Sequence, residues 1–431
     1  MASGVIGPEG CTRTMIDEAR VRPRFVWAMG LSNAAYGFCY AGVLVTMPQV
    51  MAAHAVSQPV IASLTALSGL ASLATFAVAP ILDTLVSRRV WAHALGLLVA
   101  VLTAIMLGVA PTGPLIAPLM MADALALVML TTALGGWLGA ALPKEQDDAI
   151  GAWFTIGNGV GFGIGAFCQY PLITHLPSPV GQIVVGVIGL VPLVVLRLIP
   201  SADHGRKAVR ESFGDLGRDI GVLIRRPLVW RIAVLLAMPC AAFTLTNAFG
   251  GLGPDFHVSA QMVDFANGIG PTVIGMAAAL FGRWCLRHVH GPMLYIGVGT
   301  AGAVFTTLVI GLPHTWLVYL IAVCGENIAQ SIAQVAQNAI IFASIRRGSP
   351  IAATQFGLLT TAALLPYTYM LALDGWGYQL AGNVTGQFFM DAGVSMAACV
   401  ILAVPVLRWM RSGKLTAADD GDDQVGGIAV A

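Results

Sequence analysis

Charged residues are scarce in this chain. Lysine and arginine contribute 22 of the 431 residues and aspartate and glutamate 21, so charged side chains make up 10% of the sequence, against roughly 25% in an average soluble domain. Hydrophobic residues make up 57%, and the mean hydropathy is +0.81. Forty-three charged side chains are too few to cover the water-exposed surface of a 431-residue protein. The excess apolar surface is therefore expected to face lipid. The composition excludes a soluble enzyme and a disordered protein, and the net charge of +1 gives no attraction for nucleic acid.

Sequence motifs for metal, nucleotide and nucleophilic chemistry are also missing. The seven cysteines are dispersed without a CxxC pair, which argues against a disulfide framework or a metal site. No HExxH and no GxxxxGK[ST] pattern occurs, so we expect no metal or other cofactor and no ATP-driven transport. A membrane acyl transferase would need a nucleophile or a His/Asp pair at one interface, and none is evident. The chain is therefore not expected to be an enzyme.

Long apolar runs are what the sequence has in abundance. A membrane-spanning helix needs about 20 mainly apolar residues, and twelve such runs can be counted. They lie near 25–47, 60–82, 90–110, 115–141, 152–174 and 182–200, and then near 229–250, 265–283, 292–312, 316–344, 355–374 and 385–408. The sequence predicts an all-α membrane protein with twelve transmembrane helices.

The distribution of basic residues predicts the orientation. With the N-terminus inside and twelve crossings, all 22 lysines and arginines fall on the inner side and none in an outer loop, as the positive-inside rule requires. We therefore predict a cytoplasmic tail at 1–24 without a signal peptide, a first six-helix half at 25–200, a cytoplasmic linker at 201–228, a second half at 229–410 and an acidic cytoplasmic tail at 411–431. The linker is either a surface-lying amphipathic helix or a flexible tether.

A polar stripe runs along the tenth predicted span. Glu326, Gln330, Gln334 and Gln337 follow at helical spacing and share one face, with Asn327 beside it. Lipid cannot satisfy these groups, so the stripe is expected to line water or a solute, or to hydrogen-bond other helices. Glu326 is the first candidate for proton coupling or solute binding. Asn327, Gln330 and Gln334 would supply neutral hydrogen bonds.

Other polar residues inside the spans are weaker candidates. Asp123 lies about eight residues into the fourth span and is either a protonated, shielded carboxyl or the second candidate for proton coupling. Asp391 lies in the twelfth span, where a structural or interfacial role is expected. Asn33, Asn158 and Asn247 are candidate cavity residues on the first, fifth and seventh spans, on depth and helix number alone.

The inner end of the second span carries a candidate gate. Asp83 is followed closely by Arg88 and Arg89, and these charges could form a cytoplasmic latch together with the acidic residues of the loop 145–148. The alternative is that the arginines only set the orientation of the chain.

A glycine run in the fifth span is predicted to serve helix packing. Gly157, Gly161 and Gly165 recur every fourth residue, which lets another helix approach closely. A phosphate-binding loop is disfavoured, because such a loop opens a helix instead of lying inside a span.

Several strings resemble the muropeptide permease branch of the major facilitator superfamily, also called the peptide and acetyl-coenzyme A transporter family. These are 325–329 (GENIA), 353–359 (ATQFGLL), 79–83 (APILD) and 245–253 (LTNAFGGLG), and 79–89 also resembles a degraded form of the superfamily's loop signature. The resemblance implies two six-helix halves that rock around a central site. It also implies proton-driven uptake across a bacterial inner membrane of anhydro-muropeptides, siderophores or other polar metabolites of several hundred daltons.

The sequence thus predicts a secondary transporter whose partners are a small polar solute, protons and lipid, without nucleic acid. Efflux by proton antiport is an alternative, although the Gly-Pro of the antiporter signature is absent from the fifth span. A non-transporting membrane sensor is another alternative. Direction of transport, solute, coupling ion and oligomeric state stay open.

Overall fold

The computed structural model describes residues 25–84, 86–199, 218, 220–259, 262–263, 266, 269–346 and 348–415. The predicted tail 1–24, most of the linker 201–228 and most of the acidic tail 411–431 lie outside the described residues. All regular structure in the described ranges is helical.

The helices fall into two groups along the chain. The N-terminal helices are α1 (Val26–Ala53), α2 (Gln58–Leu70 followed by Thr75–Leu82), α3 (Arg88–Gly108), α4 (Ile116–Ala141), α5 (Asp147–His175) and α6 (Val180–Leu198). The C-terminal helices are α7 (Pro227–Ala237), α8 (Ile269–Leu286), α9 (Gly291–Ile310), α10 (Trp316–Ser344), α11 (Ala352–Ala381) and α12 (Val384–Arg411).

The described helices confirm a multi-span helical protein, but the count of twelve stays a prediction. Nine helices in the described ranges are long and apolar enough to cross a membrane, and the two pieces of α2, bent by 45°, make a tenth. Pro227–Ala237 and Val273–Leu286, in the seventh and eighth predicted spans, are shorter apolar helices. The α7 helix ends early because Pro239 disfavours helical geometry at Met238, whose backbone is extended.

The α11 helix is longer than its apolar run. The sequence predicts a span near 355–374, whereas the helix continues to Ala381 and encloses Pro366. Asp374, expected at the edge of the span, therefore lies well inside the helix and is fully buried. Neighbouring helices supply hydrogen-bonding partners that the hydropathy of one segment does not reveal.

The glycine face of α5 packs against α1. A Cβ atom placed on Gly157, Gly161 or Gly165 would lie 2.7, 2.1 or 2.6 Å from a backbone carbonyl oxygen of α1. These distances are too short for any side chain, so the two helix backbones touch directly. The packing role predicted from the spacing of the glycines is what the structure shows.

This contact gives a matched pair of variants. Gly161→Ala is expected to destabilise the protein by about 1–3 kcal/mol, because the added methyl meets the rigid backbone at Ala34. Gly159→Ala, two residues away with nothing within 4 Å of the new methyl, should be neutral or slightly stabilising. Thermal unfolding of both variants in detergent tests the difference; equal midpoints would contradict this packing.

The two groups of helices meet mainly at one end of the bundle, the basic end, which carries Arg88, Lys144 and Arg346. There Cβ atoms on Gly136 and Gly151 would lie 2.5 and 2.6 Å from the backbones of Ala353 and Ala339, across the boundary between the groups. Phe154 of α5 packs edge-on against Phe342 and Phe356 of the C-terminal helices. We call the other end of the bundle the opposite end.

Candidate functional site

Glu326 is buried among the C-terminal helices. Its side chain is 2% exposed, and its Oε1 atom forms a very short hydrogen bond with the hydroxyl of Thr306 on α9. Its second oxygen, Oε2, is buried without a hydrogen-bond partner among the described residues. The most prominent candidate from the sequence is therefore enclosed by other helices.

Two more carboxyls lie close to Glu326. The Thr244 hydroxyl is 2.6 Å from Asp374 Oδ2 on α11 and 3.0 Å from Asp391 Oδ1 on α12. Asp374 is 0% and Asp391 4% exposed. Asp391 lies close enough to Glu326 and Asp374 to interact with both electrostatically. We call these three acids, with Thr244 and Thr306, the carboxyl cluster.

Among the described residues the carboxyl cluster has no basic partner. The ion pairs found in the described part of the chain, Arg88–Asp83 and Lys144–Asp147, both lie at the basic end. An ionised carboxylate buried without a counter-ion is strongly disfavoured, so the cluster is expected to bind protons that lower its negative charge. Within the described ranges no three His, Cys, Asp or Glu side chains are arranged to hold a metal ion. The arrangement is suited to binding and releasing protons.

Asp123 has a similar partner in the N-terminal helices. It is 0% exposed, and the Thr103 hydroxyl lies 3.0 and 3.2 Å from its two oxygens. Thr103 and Thr306 are each the sixteenth residue of their helices, α3 and α9, and each acid follows its threonine by 20 residues. The Thr103–Asp123 pair thus repeats as Thr306–Glu326.

A second polar contact repeats in the same way. Thr46 of α1 donates to Gln169 of α5 at 2.9 Å, and Thr244, after α7, contacts Asp374 of α11. Gln169 and Asp374 are each the twenty-third residue of their helices. The N-terminal copy therefore carries a neutral amide where the C-terminal copy carries a carboxyl.

The remaining polar residues of α10 point to several partners. Gln330 donates to Thr246 at 3.1 Å and lies 3.5 Å from the Tyr367 hydroxyl, and Gln334 also lies near Tyr367. Asn327 donates to the Val323 carbonyl of its own helix. Gln330, Gln334 and Asn327 are only partly buried, unlike Glu326. The predicted stripe is thus divided between a buried acid and half-buried amides.

The candidate asparagines have structural contacts. Asn33 is 3% exposed, donates to the Phe154 carbonyl and accepts from the Thr131 hydroxyl. These bonds tie α1 to α5 and α4. Asn158 is half-buried, and its oxygens lie beside Gly37 of α1. The side chain of Asn247 lies outside the described residues.

The basic end holds a latch between the two groups. Asp83 accepts from the Ala353 and Thr354 backbone amides at 3.1 and 2.7 Å and from the Thr354 hydroxyl at 2.8 Å. It thereby caps the first turn of α11, where unpaired amides and the helix dipole favour a negative charge. Arg88 pairs with Asp83 at 2.8 Å and donates to the Ser349 and Pro350 carbonyls, each at 2.7 Å.

Lys144 completes this latch from the loop between α4 and α5. Its ammonium group donates to the Ala343 and Ile345 carbonyls at the end of α10, where a cation complements the helix dipole. Arg89 lies outside the latch: its side chain is exposed, and the side-chain contact found for it among the described residues joins its backbone carbonyl to the His93 ring. The latch therefore consists of Asp83, Arg88 and Lys144, of which the sequence predicts the first two.

Sequence reasoning missed Asp374 and all the threonines of the carboxyl cluster. Asp374 was hidden by a span end placed at 374. The signal that could have revealed Thr306 is the repeated spacing of 20 residues between Thr103 and Asp123 and between Thr306 and Glu326.

Comparison with known proteins gives the family of this chain. Residues 29–366 match the Major Facilitator Superfamily. The chain belongs to this superfamily of membrane transporters. A search of curated protein sequences gives no significant match. The resemblance to the muropeptide permease branch thus stays a prediction.

Solved structures of the superfamily share the fold at low identity. The proton:xylose symporter XylE, bound to 6-bromo-6-deoxy-D-glucose, is 12% identical with a TM-score of 0.63, covering 88% of this chain and 94% of that one. The E. coli fucose:proton symporter FucP is 15% identical with a TM-score of 0.65, covering 90% and 98%. The human organic anion transporter MFSD10 is 14% identical with a TM-score of 0.64, covering 88% and 99%.

Proposed function

We propose that this protein is a proton-coupled secondary transporter that takes up a polar solute by alternating access, with Glu326 as the coupling acid. The observation that carries the proposal is a carboxyl 2% exposed, with one oxygen unpartnered and no basic partner among the described residues, in a chain of the major facilitator superfamily. An acid buried inside a membrane protein is costly and is retained where it binds or moves ions.

We further propose that the N-terminal and C-terminal helices form the two six-helix halves, that the protein lies in a bacterial inner membrane and that the basic end faces the cytoplasm. The distribution of arginine and lysine supports this orientation. The latch of Asp83, Arg88 and Lys144 then closes the cytoplasmic side. Solute would enter from the opposite end in this conformation.

The proposed solute is a polar metabolite of several hundred daltons, siderophore- or muropeptide-like. Half-buried amide and hydroxyl groups of Gln330, Gln334, Thr246 and Tyr367 lie together on the C-terminal helices. A few convergent polar groups of this kind orient a ligand and give specificity. The proton symporters XylE and FucP share the fold, which supports a proton-coupled mechanism here.

Uptake into proteoliposomes tests this function. The purified protein would be reconstituted and given labelled muropeptides, siderophores and sugars, with an inward proton gradient or none. We expect one of these classes to accumulate above equilibrium only with the gradient, and a protonophore to abolish the accumulation. Binding without gradient-driven accumulation of any class would contradict the proposal and favour a sensor.

A further inference from the structure

We infer that the carboxyl cluster holds two protons, one on Glu326 and one shared by Asp374 and Asp391 across Thr244. The place of these protons in a transport cycle rests on the proposed function, whereas their presence does not. The inference follows from counting the hydrogens that the observed contacts require.

The contacts of Thr244 require one proton on the two aspartates. A threonine hydroxyl donates a single hydrogen, and an ionised carboxylate only accepts. Thr244 lies within hydrogen-bonding distance of both Asp374 and Asp391. It can donate fully to only one of them, and two carboxylates this close do not both ionise, so the other carries a proton and donates to the Thr244 oxygen. With both acids protonated, Thr244 could accept from one and donate to the carbonyl oxygen of the other, but the second acid hydrogen would have no acceptor among the described residues.

The contacts of Thr306 favour a proton on Glu326. The Thr306 hydroxyl lies 3.1 Å from the Gly302 carbonyl, four residues earlier in α9, and also contacts Glu326. Thr300 and Thr307 of the same helix donate to the carbonyls four residues before them. A carbonyl only accepts. Both contacts of Thr306 are therefore complete when it donates to Gly302 and Glu326 donates to it.

The cluster also has free positions at which protons can arrive and leave. Glu326 Oε2 and Asp374 Oδ1 are buried without partners among the described residues. Buried polar atoms in native proteins are nearly always satisfied, so two unpaired oxygens in one cluster indicate a functional requirement. Thr244 connects the other oxygen of Asp374, Oδ2, to Asp391 Oδ1. When Asp391 gives its proton to Thr244 Oγ1 and Thr244 passes its own hydrogen to Asp374, one proton moves and the hydroxyl is restored.

Among the described residues the N-terminal copy of these contacts has no such unpaired oxygen. Gln169, at the place of Asp374, accepts from Thr46 and donates to the Phe38 carbonyl at 2.7 Å. Thr103 shares its hydrogen between the two oxygens of Asp123, so no proton is required by the count. The asymmetry assigns the shared proton to the C-terminal helices.

The charge of each acid in the carboxyl cluster depends mainly on the other two acids. The titratable groups facing the cluster are Glu326 from α10, Asp374 from α11 and Asp391 from α12. The segment after α7 and the α9 helix contribute the hydroxyls of Thr244 and Thr306. Carboxyls this close do not all ionise together.

Infrared spectroscopy of the protein in lipid nanodiscs, without any solute, tests the inference. Protonated carboxyls have a C=O stretch distinct from that of carboxylates and sensitive to deuterium exchange. At neutral pH, Glu326→Gln should remove one such signal. Asp374→Asn, Asp391→Asn and the double variant should each remove the same second signal, because the pair shares one proton. Glu145→Gln, at an exposed acid, should remove none.

The non-additivity of the aspartate variants is the decisive result. Loss of two signals in the double variant, or of none, would overturn the proton shared by Asp374 and Asp391. An unchanged spectrum of Glu326→Gln would overturn the proton assigned to Glu326. Asp391→Asn serves in place of Asp374→Asn where only one of them folds. Thr244→Ser should keep the band of the shared proton in place, and Thr244→Val should shift it. Because no solute is present, failure here is distinct from failure of the uptake assay.

Discussion

Glu326→Gln is expected to abolish accumulation driven by a proton gradient. One proton moving through 100 mV provides about 2.3 kcal/mol, which supports roughly a 50-fold solute gradient at about 1.4 kcal/mol per factor of ten. Glutamine keeps the size of the side chain and a hydrogen bond to Thr306 but cannot take up or release a proton. Accumulation should therefore fall from about 50-fold to none, measured as the ratio of internal to external labelled solute.

Exchange of solute at equal concentration on both sides separates coupling from folding. It needs no net proton movement and should persist in Glu326→Gln. Glu145→Gln, at an exposed acid in the loop before α5, should leave accumulation unchanged. Undiminished accumulation in Glu326→Gln would remove Glu326 from the coupling role and leave Asp123 and the two aspartates as candidates.

Arg88→Gln is expected to open the basic end. The guanidinium holds Asp83 and two carbonyls of the loop between α10 and α11, and its side chain is only 12% exposed. Hydrogen bonds to charged groups contribute about 1.5–3 kcal/mol each, so losing even one shifts the equilibrium between closed and open forms about 10- to 150-fold. Pulsed EPR distances between spin labels at Glu145 and Arg287, exposed residues of the two groups, should lengthen.

Arg89→Gln is the matched control for the latch. It removes the same charge from the adjacent residue, whose side chain is exposed and outside the latch. If the arginines acted only on orientation in the membrane, the two variants would behave alike. Equal distance distributions in Arg88→Gln and Arg89→Gln would therefore contradict a role for Arg88 in closing the basic end.

Only part of the latch could be predicted from the local sequence. Asp83 and Arg88 could be predicted as partners, because two opposite charges five residues apart at the end of a span lie within reach of each other. That Asp83 also caps α11 could not be predicted, since its partners Ala353 and Thr354 lie 270 and 271 residues away. Neither backbone amide carries a sequence signal of its own. Lys144 went unpredicted for the same reason, because it binds carbonyls.

The sequence by itself determined that the chain is an all-helical membrane protein, where the apolar runs lie, which glycines allow close packing and that Glu326 lies inside a helix of the membrane region. These properties depend on hydropathy and helical periodicity, which are local. Only the tertiary structure decided that Glu326 faces Thr306, that Asp374 and Asp391 share Thr244, and that Arg89 stays outside the latch. A buried acid is tolerated through partners on other helices, and which helices meet is decided by packing over the whole chain.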